Sequence, residues 1–120
     1  MKGPPYSVFV VEDETMIRMM LVEMLEELGH TVAAEAAQLE QAIELAKTRE
    51  FDLAVLDLNL AGRSSLTVAE IIKGRKLPFI FSTGYGANGI PPEFADAPAI
   101  RKPFTVEALG QAVNALMREM

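Results

Sequence analysis

The chain contains no cysteine. Disulfide staples, thiolate nucleophiles and zinc–cysteine centres are therefore excluded, and stability has to come from a packed core. No apolar run approaches the ~20 residues that a membrane-spanning helix needs. The opening Met1-Lys2-Gly3-Pro4-Pro5-Tyr6 has one basic residue and two prolines. It lacks the apolar stretch of a secretory signal, so the expected location is cytoplasmic with no membrane contact. Basic residues are scarce: 11 Lys and Arg face 17 Asp and Glu, for a formal charge of −6. A direct nucleic-acid binder needs a basic face to neutralise phosphates, and this balance argues against one. An acidic surplus suits a cation site, provided that carboxylates converge in space. The chain does have length and apolar content. Its 120 residues, half of them apolar, match one ordinary domain spanning 1–120, with no repeat, linker or low-complexity tract.

Short apolar runs alternate with longer stretches of helical period. Val8-Phe9-Val10-Val11 is too continuously apolar for a half-exposed strand and reads as a central strand of a parallel sheet. Residues 14–28 place Met16, Ile17, Met20, Leu21, Met24, Leu25 and Leu28 on one helical stripe, which Gly29 is placed to end. Thr31 to Glu35 is a weaker strand, 39–50 a helix, Leu53-Ala54-Val55-Leu56 a strand, and Leu66 to Lys73 a helix. Pro78 to Ser82 is the fourth strand, Ala99-Ile100 the fifth, and 105–118 the last amphipathic helix. This alternation predicts an α/β fold: a five-stranded parallel sheet of flavodoxin-like order 2-1-3-4-5, with helices on both faces. The crossover from Gly84 to Phe94 is the exception. Its three glycines and two prolines oppose a long helix, at roughly 1 kcal/mol per interior Gly and 3 per Pro. A short turn near Pro91–Phe94, in a mobile segment 86–95, is expected in place of a fourth helix.

In an open parallel α/β sheet, ligands collect at the carboxyl ends of the strands. The first run ends in Glu12-Asp13-Glu14, the third in Asp57, the fourth in Thr83-Gly84, and the fifth is followed by Lys102-Pro103. Singly, each has a plain structural reading as a turn former, a helix-end charge or a loop. Together, and in this order, they place carboxylates, a hydroxyl and an amine on one rim. Glu12, Asp13 and Asp57 offer hard oxygen ligands for Mg²⁺. Asp57 can attack phosphorus as a carboxylate nucleophile, while Lys102 and Thr83 neutralise the oxygens of the group in transit. Lys102 would pair with Asp57 when no phosphoryl group is present.

At these positions the chain resembles the receiver domains of bacterial two-component response regulators. The resemblance is carried by Val8-Phe9-Val10-Val11-Glu12-Asp13-Glu14, by Leu56-Asp57-Leu58-Asn59-Leu60, by Thr83 and by Arg101-Lys102-Pro103-Phe104. It implies that Asp57 accepts phosphate from a phosphohistidine on a sensor histidine kinase. It further implies that Glu12, Asp13, Asp57 and the backbone carbonyl of Asn59 hold Mg²⁺. Thr83 and Lys102 would contact the phosphoryl group, and the Lys102–Pro103 peptide bond would be cis. The only chemistry implied is the domain's own phosphorylation and dephosphorylation, so it is not an enzyme in the usual sense. Phe81-Ser82-Thr83-Gly84-Tyr85-Gly86 resembles the motif of the FATGUY subgroup, which points to kinases of the HWE class.

Two departures from the common receiver pattern accompany that motif. Ala99 stands where most receivers carry a rotating aromatic, and Ala61-Gly62 follows the acceptor where a proline is common. With Ala99 in place the usual ring rotation cannot be the readout. Ordering of the segment 84–96, with Tyr85 as replacement aromatic, is the expected alternative. Output would run through an unidentified protein partner or through a phosphate relay or sink. Two other functions compete. An aspartyl-phosphate phosphatase of the haloacid-dehalogenase kind needs an acid two residues after the nucleophile, where this chain has Asn59, and puts the nucleophile on the first strand. A pseudo-receiver that is never phosphorylated would not need Asp57, Thr83 and Lys102 intact. The lone histidine, His30, follows a helix-ending glycine and reads as a surface turn residue. The methionines of the first helix read mainly as core packing, with Met19 exposed toward a kinase.

Overall fold

The apolar runs and helical stripes are realised as β1 (Ser7–Val11), α1 (Thr15–Glu27), β2 (Thr31–Ala36), α2 (Leu39–Thr48) and β3 (Leu53–Asp57). There follow β4 (Asn59–Leu60), β5 (Arg63–Ser64), α3 (Leu66–Gly74), β6 (Phe79–Thr83), β7 (Ala99–Arg101) and α4 (Val106–Arg118). In this computed structural model, which describes residues 3–84 and 89–119, the sheet has the order β2-β1-β3-β6-β7 with every pair parallel. That is the flavodoxin-like order expected, with the β4–β5 hairpin set aside.

Strand alternation sends successive side chains to opposite faces. Val8, Val10, Leu53, Val55 and Ile80 pack with Leu21 and Leu25 of α1 and Leu109 and Val113 of α4. Phe9, Val11, Ala54, Leu56 and Phe81 pack with Ala42 and Ala46 of α2 and Val68 and Ile72 of α3. Both faces of β1, β3 and β6 are thus covered, which is why their sequences are apolar throughout. Gly29 takes a φ of +90° just past α1, a backbone state that costs glycine little, and the chain turns there into β2. Thr105 caps α4 by accepting a hydrogen bond from the Ala108 N–H at 3.0 Å.

The crossover after β6 departs from a regular βαβ unit as its glycines and prolines predict. Its described part holds a 3₁₀ turn at Pro92–Phe94 and no α-helix. Phe94 pins that turn to the sheet, edge-on to Phe79 and Phe81 with ring centroids at 5.9 and 5.8 Å. The expected mobility of 86–95 falls partly, and Tyr85 wholly, outside the described residues.

Two expectations need correction, and one element, the hairpin β4–β5, has no counterpart in the apolar pattern. Its two-residue turn is Ala61-Gly62, both at positive φ (52° and 87°), as tight hairpins require. A proline, fixed near −65°, could not occupy position 61, which accounts for its absence there. Met16 and Met20 are not on the buried stripe of α1 but are 76% and 52% exposed. At 3.6 residues per turn they lie roughly 140° and 100° from Leu21, outside the arc that the sheet and α4 cover. His30 is not a surface residue: it is buried, its ring stacks on Tyr6 at 5.3 Å, and its Nδ1 accepts a hydrogen bond from the Tyr6 N–H at 3.1 Å.

Burial holds the His30 pKa below the ordinary imidazole value. The unfolded chain then binds a proton more readily than the folded one, so stability falls as pH drops below about 6.5. Replacement by alanine strands the Tyr6 N–H and is expected to cost about 1–2 kcal/mol at pH near 7.5. Urea midpoints on both sides of the imidazole pKa should show the wild-type loss and its absence in His30→Ala.

Candidate functional site

The rim at the carboxyl ends of the strands gathers the residues that the sequence singled out. Glu12 and Asp13 follow β1, Asp57 closes β3, Thr83 closes β6, and Lys102 follows β7. One carboxylate oxygen from each of Glu12, Asp13 and Asp57 lies within 4.8 Å of the others. Glu12 and Thr83 are almost fully buried and Asp57 nearly so. The Lys102 ammonium enters this cluster from the opposite side of the rim. Its Nζ donates to Glu12 Oε1 at 2.7 Å and to Asp57 Oδ2 at 3.0 Å.

Backbone bonds hold each member in place. Lys102 N donates to the Thr83 carbonyl at 2.8 Å, which ties the end of β7 to the end of β6. Asp57 Oδ1 accepts from the Asn59 N–H at 3.2 Å, and the Ser65 hydroxyl donates to the Asp57 carbonyl. Asp13 Oδ2 accepts from the Ala61 N–H at 3.1 Å, while Asn59 Oδ1 accepts from Gly62 N at 2.7 Å. The hairpin β4–β5 is thereby clamped to the first loop. Arg18 is one residue that sequence reasoning missed. Its guanidinium donates to the Glu12 carbonyl at 2.9 Å and pairs with Glu35 at 3.3 Å. A basic side chain one turn into the helix after an acidic strand end was the available signal.

The electrostatics follow from this packing. Burial pushes the Glu12 pKa up and the Asp57 charge adds to the rise, while the hydrogen bonds from Lys102 and the Glu14 N–H work against it. Burial alone would lower Lys102, but its bonds to Glu12 and Asp57 and their charges outweigh that, and its pKa stands above the ordinary lysine value. The lysine is thus a fixed cation at any physiological pH. Three converging carboxylates are a donor set that suits a hard divalent cation such as Mg²⁺. The Lys102–Pro103 peptide bond is cis, and Ala99 lies exposed on the edge strand opposite Phe81.

A family model of the response regulator receiver domain matches residues 8–114. The chain belongs to that family. Receiver domains are signalling domains of two-component systems, and several relatives agree with that assignment. The transcriptional regulatory protein PdtaR of Mycobacterium tuberculosis is 34% identical over 114 residues, covering 92% of this chain and 56% of its own length. The chain thus spans about half of such relatives, LytR of Staphylococcus haemolyticus being covered over 45%. Among solved structures, SdrG from Sphingomonas melonis superposes with a TM-score of 0.82 at 36% identity, covering 92% of this chain and 95% of SdrG. The receiver domain of PhyR from Erythrobacter litoralis superposes at 0.81 with 28% identity, covering 94% and 90%. No helix among the described residues is long and apolar enough to cross a membrane.

An apolar groove of about 310 Å³ adjoins the rim. Ile17, Met20 and Met24 of α1 form one wall, Pro103 and Phe104 the other, and Lys102 lies at its end nearest Asp57.

Proposed function

We propose that Asp57 accepts a phosphoryl group from a phosphohistidine of a sensor histidine kinase, in a Mg²⁺-dependent reaction. The observation that carries this reading is the Asp57 carboxylate itself, held at 3.0 Å from a permanent ammonium and beside two further carboxylates. An Asp57 oxygen attacks phosphorus as the P–N bond breaks, and the imidazole leaves with the electron pair and a proton. Lys102 then shifts from the carboxylate to the charge of the new acyl phosphate, with the Thr83 hydroxyl as a second contact. Glu12, Asp13, Asp57 and the Asn59 carbonyl are the groups that would hold Mg²⁺, which when bound neutralises phosphoryl oxygens. Hydrolysis returns Asp57 to its carboxylate, with Asn59 and Tyr85 placed two residues past the acceptor and Thr83 to influence its rate.

The phosphatase reading is disfavoured because Asp57 closes β3, the third strand in chain order and not the first, and is followed at the second position by an amide. The sequence Phe81-Ser82-Thr83-Gly84-Tyr85-Gly86 supports placing the chain in the FATGUY subgroup, with a kinase of the HWE class as donor and a protein as output partner. Readout through the 84–96 segment fits the alanine at position 99. Intact mass after incubation with acetyl phosphate and Mg²⁺ tests the acceptor. Wild type should gain one phosphoryl group, chelator should abolish the gain, and Asp57→Asn should show none. A gain in Asp57→Asn equal to wild type would refute the assignment.

A donor has to bring its phosphorus into contact with Asp57, so the surface that carries it must cover the rim and the groove continuous with it. On this reading the histidine-bearing surface of the kinase covers Met20 and Phe104. Met20→Glu is expected to slow transfer from the kinase at least about tenfold, equivalent to ~1.4 kcal/mol. Acetyl phosphate, which needs no docking, should label the variant at the wild-type rate. Equal slowing with both donors would remove α1 from the docking surface.

A further inference from the structure

Ser82 belongs to this site by position, and its hydroxyl is unaccounted for. The register of the sheet pairs Asp57 of β3 with Ser82 of β6 and Ser82 with Ile100 of β7. Paired residues of neighbouring parallel strands project to the same face. Asp57 and Ser82 lie two residues beyond Val55 and Ile80, which both pack on the α1–α4 side. Glu12 lies two beyond Val10 on the same side. A row of three polar side chains, Glu12–Asp57–Ser82, thus crosses the top of that apolar face. Ser82 is only 2% exposed, and its Oγ has no hydrogen-bond partner among the described residues. A buried hydroxyl without a partner is costly and uncommon in a native fold, and such a group calls for a specific explanation.

Alanine at this position would fill the same layer without stranding a polar atom. The neighbouring groups offer an explanation for the hydroxyl. Asp57 Oδ1 and Oδ2 are already engaged by Asn59 N and Lys102 Nζ in the unmodified state, and neither turns to Ser82. Converting the carboxylate into an acyl phosphate adds oxygens and negative charge on the side chain adjoining Ser82, and draws Lys102 away from Oδ2. We infer that the Ser82 hydroxyl is a built-in donor for the phosphorylated form of Asp57, unpaired at rest and paired when the acyl phosphate is present. The inference rests on the phosphoacceptor reading above and adds to it a residue that binds the modified state selectively. A donor that gains its partner only in one state biases the equilibrium toward that state by the worth of the bond.

Ser82→Ala distinguishes this from a packing role. Beryllofluoride, a phosphoryl analogue, serves as probe, with binding followed by amide shifts of the intact chain in Mg²⁺. The variant should bind it about tenfold more weakly, the scale of one hydrogen bond to a charged group. The acyl phosphate formed from acetyl phosphate should accumulate less. Mg²⁺ affinity without the analogue should be unchanged, and the urea midpoint of the unmodified chain should equal or exceed that of wild type. Analogue affinity equal to wild type would overturn the inference while leaving Asp57 as acceptor. A urea midpoint that falls in step with affinity would also overturn it, by making Ser82 structural. A wild-type chain that binds no beryllofluoride and gains no phosphoryl mass would overturn the acceptor reading and this inference with it.

Discussion

Lys102→Met is expected to lower stability by about 3 kcal/mol at neutral pH in chelator, the scale for removing one partner of a buried charge cluster. The Lys102 ammonium is the cation that bridges two carboxylates, of which the Glu12 side chain is 1% and that of Asp57 11% exposed. Without it, Glu12, Asp13 and Asp57 face one another across less than 5 Å, with Glu12 and Asp57 buried. Methionine retains most of the stem, so the loss is electrostatic and not a cavity. The pH dependence has a definite sign. Glu12 already has a raised pKa from burial, and the variant removes the lysine contacts that oppose the rise. The folded chain then holds a proton that the unfolded chain has released, so stability falls as pH climbs above the ordinary carboxyl value of ~4.5. The deficit should be smallest near the ordinary carboxyl value and grow as pH rises from there. In wild type the Lys102 contribution is complete below the ordinary lysine pKa and is lost only as pH rises past its raised value.

Mg²⁺ provides the complementary arm of that experiment. A cation held by the folded chain alone stabilises by about 1.4 kcal/mol at tenfold excess over its Kd. It should restore more of the Lys102→Met variant's stability than it adds to wild type, where it competes with the ammonium for Glu12 and Asp57. Urea melts with chelator and with Mg²⁺, at three pH values, contain the whole test. A variant midpoint equal to wild type in chelator would show that the carboxylates neutralise themselves by holding a proton, and that the lysine does not balance the resting site.

The site was legible before the fold because its chemistry sits at positions that strand patterning marks unaided. A run of four apolar residues followed by an acid is a local feature, and parallel topology turns several such local features into one rim. Glu12 and Asp57 stand out that way, and Thr83 and Lys102 as the polar residues past the fourth and fifth runs. What stayed hidden depends on distances that periodicity does not encode. His30 is buried because Tyr6, twenty-four residues away, offers it a ring and an N–H. Arg18 matters because the end of β1 lies within reach of its guanidinium, a relation set by how α1 leaves the sheet. The exposure of Met16 and Met20 depends on how wide an arc of α1 the sheet covers, whereas the pattern of apolar residues shows only which way the arc points. Ser82 is the subtlest case. Its alternation within the fourth run was readable, but the register that sets it beside Asp57 was not.

Phe94→Ala is expected to cost about 3–4 kcal/mol, as for other buried phenylalanines cut back to alanine. The ring is 4% exposed and is wedged edge-on between Phe79 and Phe81, with the Lys73 ammonium 5.3 Å above it. A domain of this size has roughly 5–15 kcal/mol to lose, so the variant should remain folded and measurable. Its consequence should be uneven along the chain. Leu56 and Phe81 also have α2 and α3 to pack on, whereas the 3₁₀ turn at Pro92–Phe94 has this ring as its sole buried residue. Hydrogen exchange should therefore accelerate most for amides around 94–97, which close the turn onto Pro91, Pro92 and Phe94, and least for those of β1 and β3. Labelling of Asp57 by acetyl phosphate should persist, because Asp57 closes β3 and Glu12 follows β1, and the ring stacks on side chains of β6. If readout runs through the crossover, beryllofluoride should still bind the variant but no longer shift residues 90–97 as it does in wild type. Loss of binding and of those shifts together would place Phe94 in the support of the acid site itself, and the crossover would then be part of the phosphoacceptor machinery instead of its reporter.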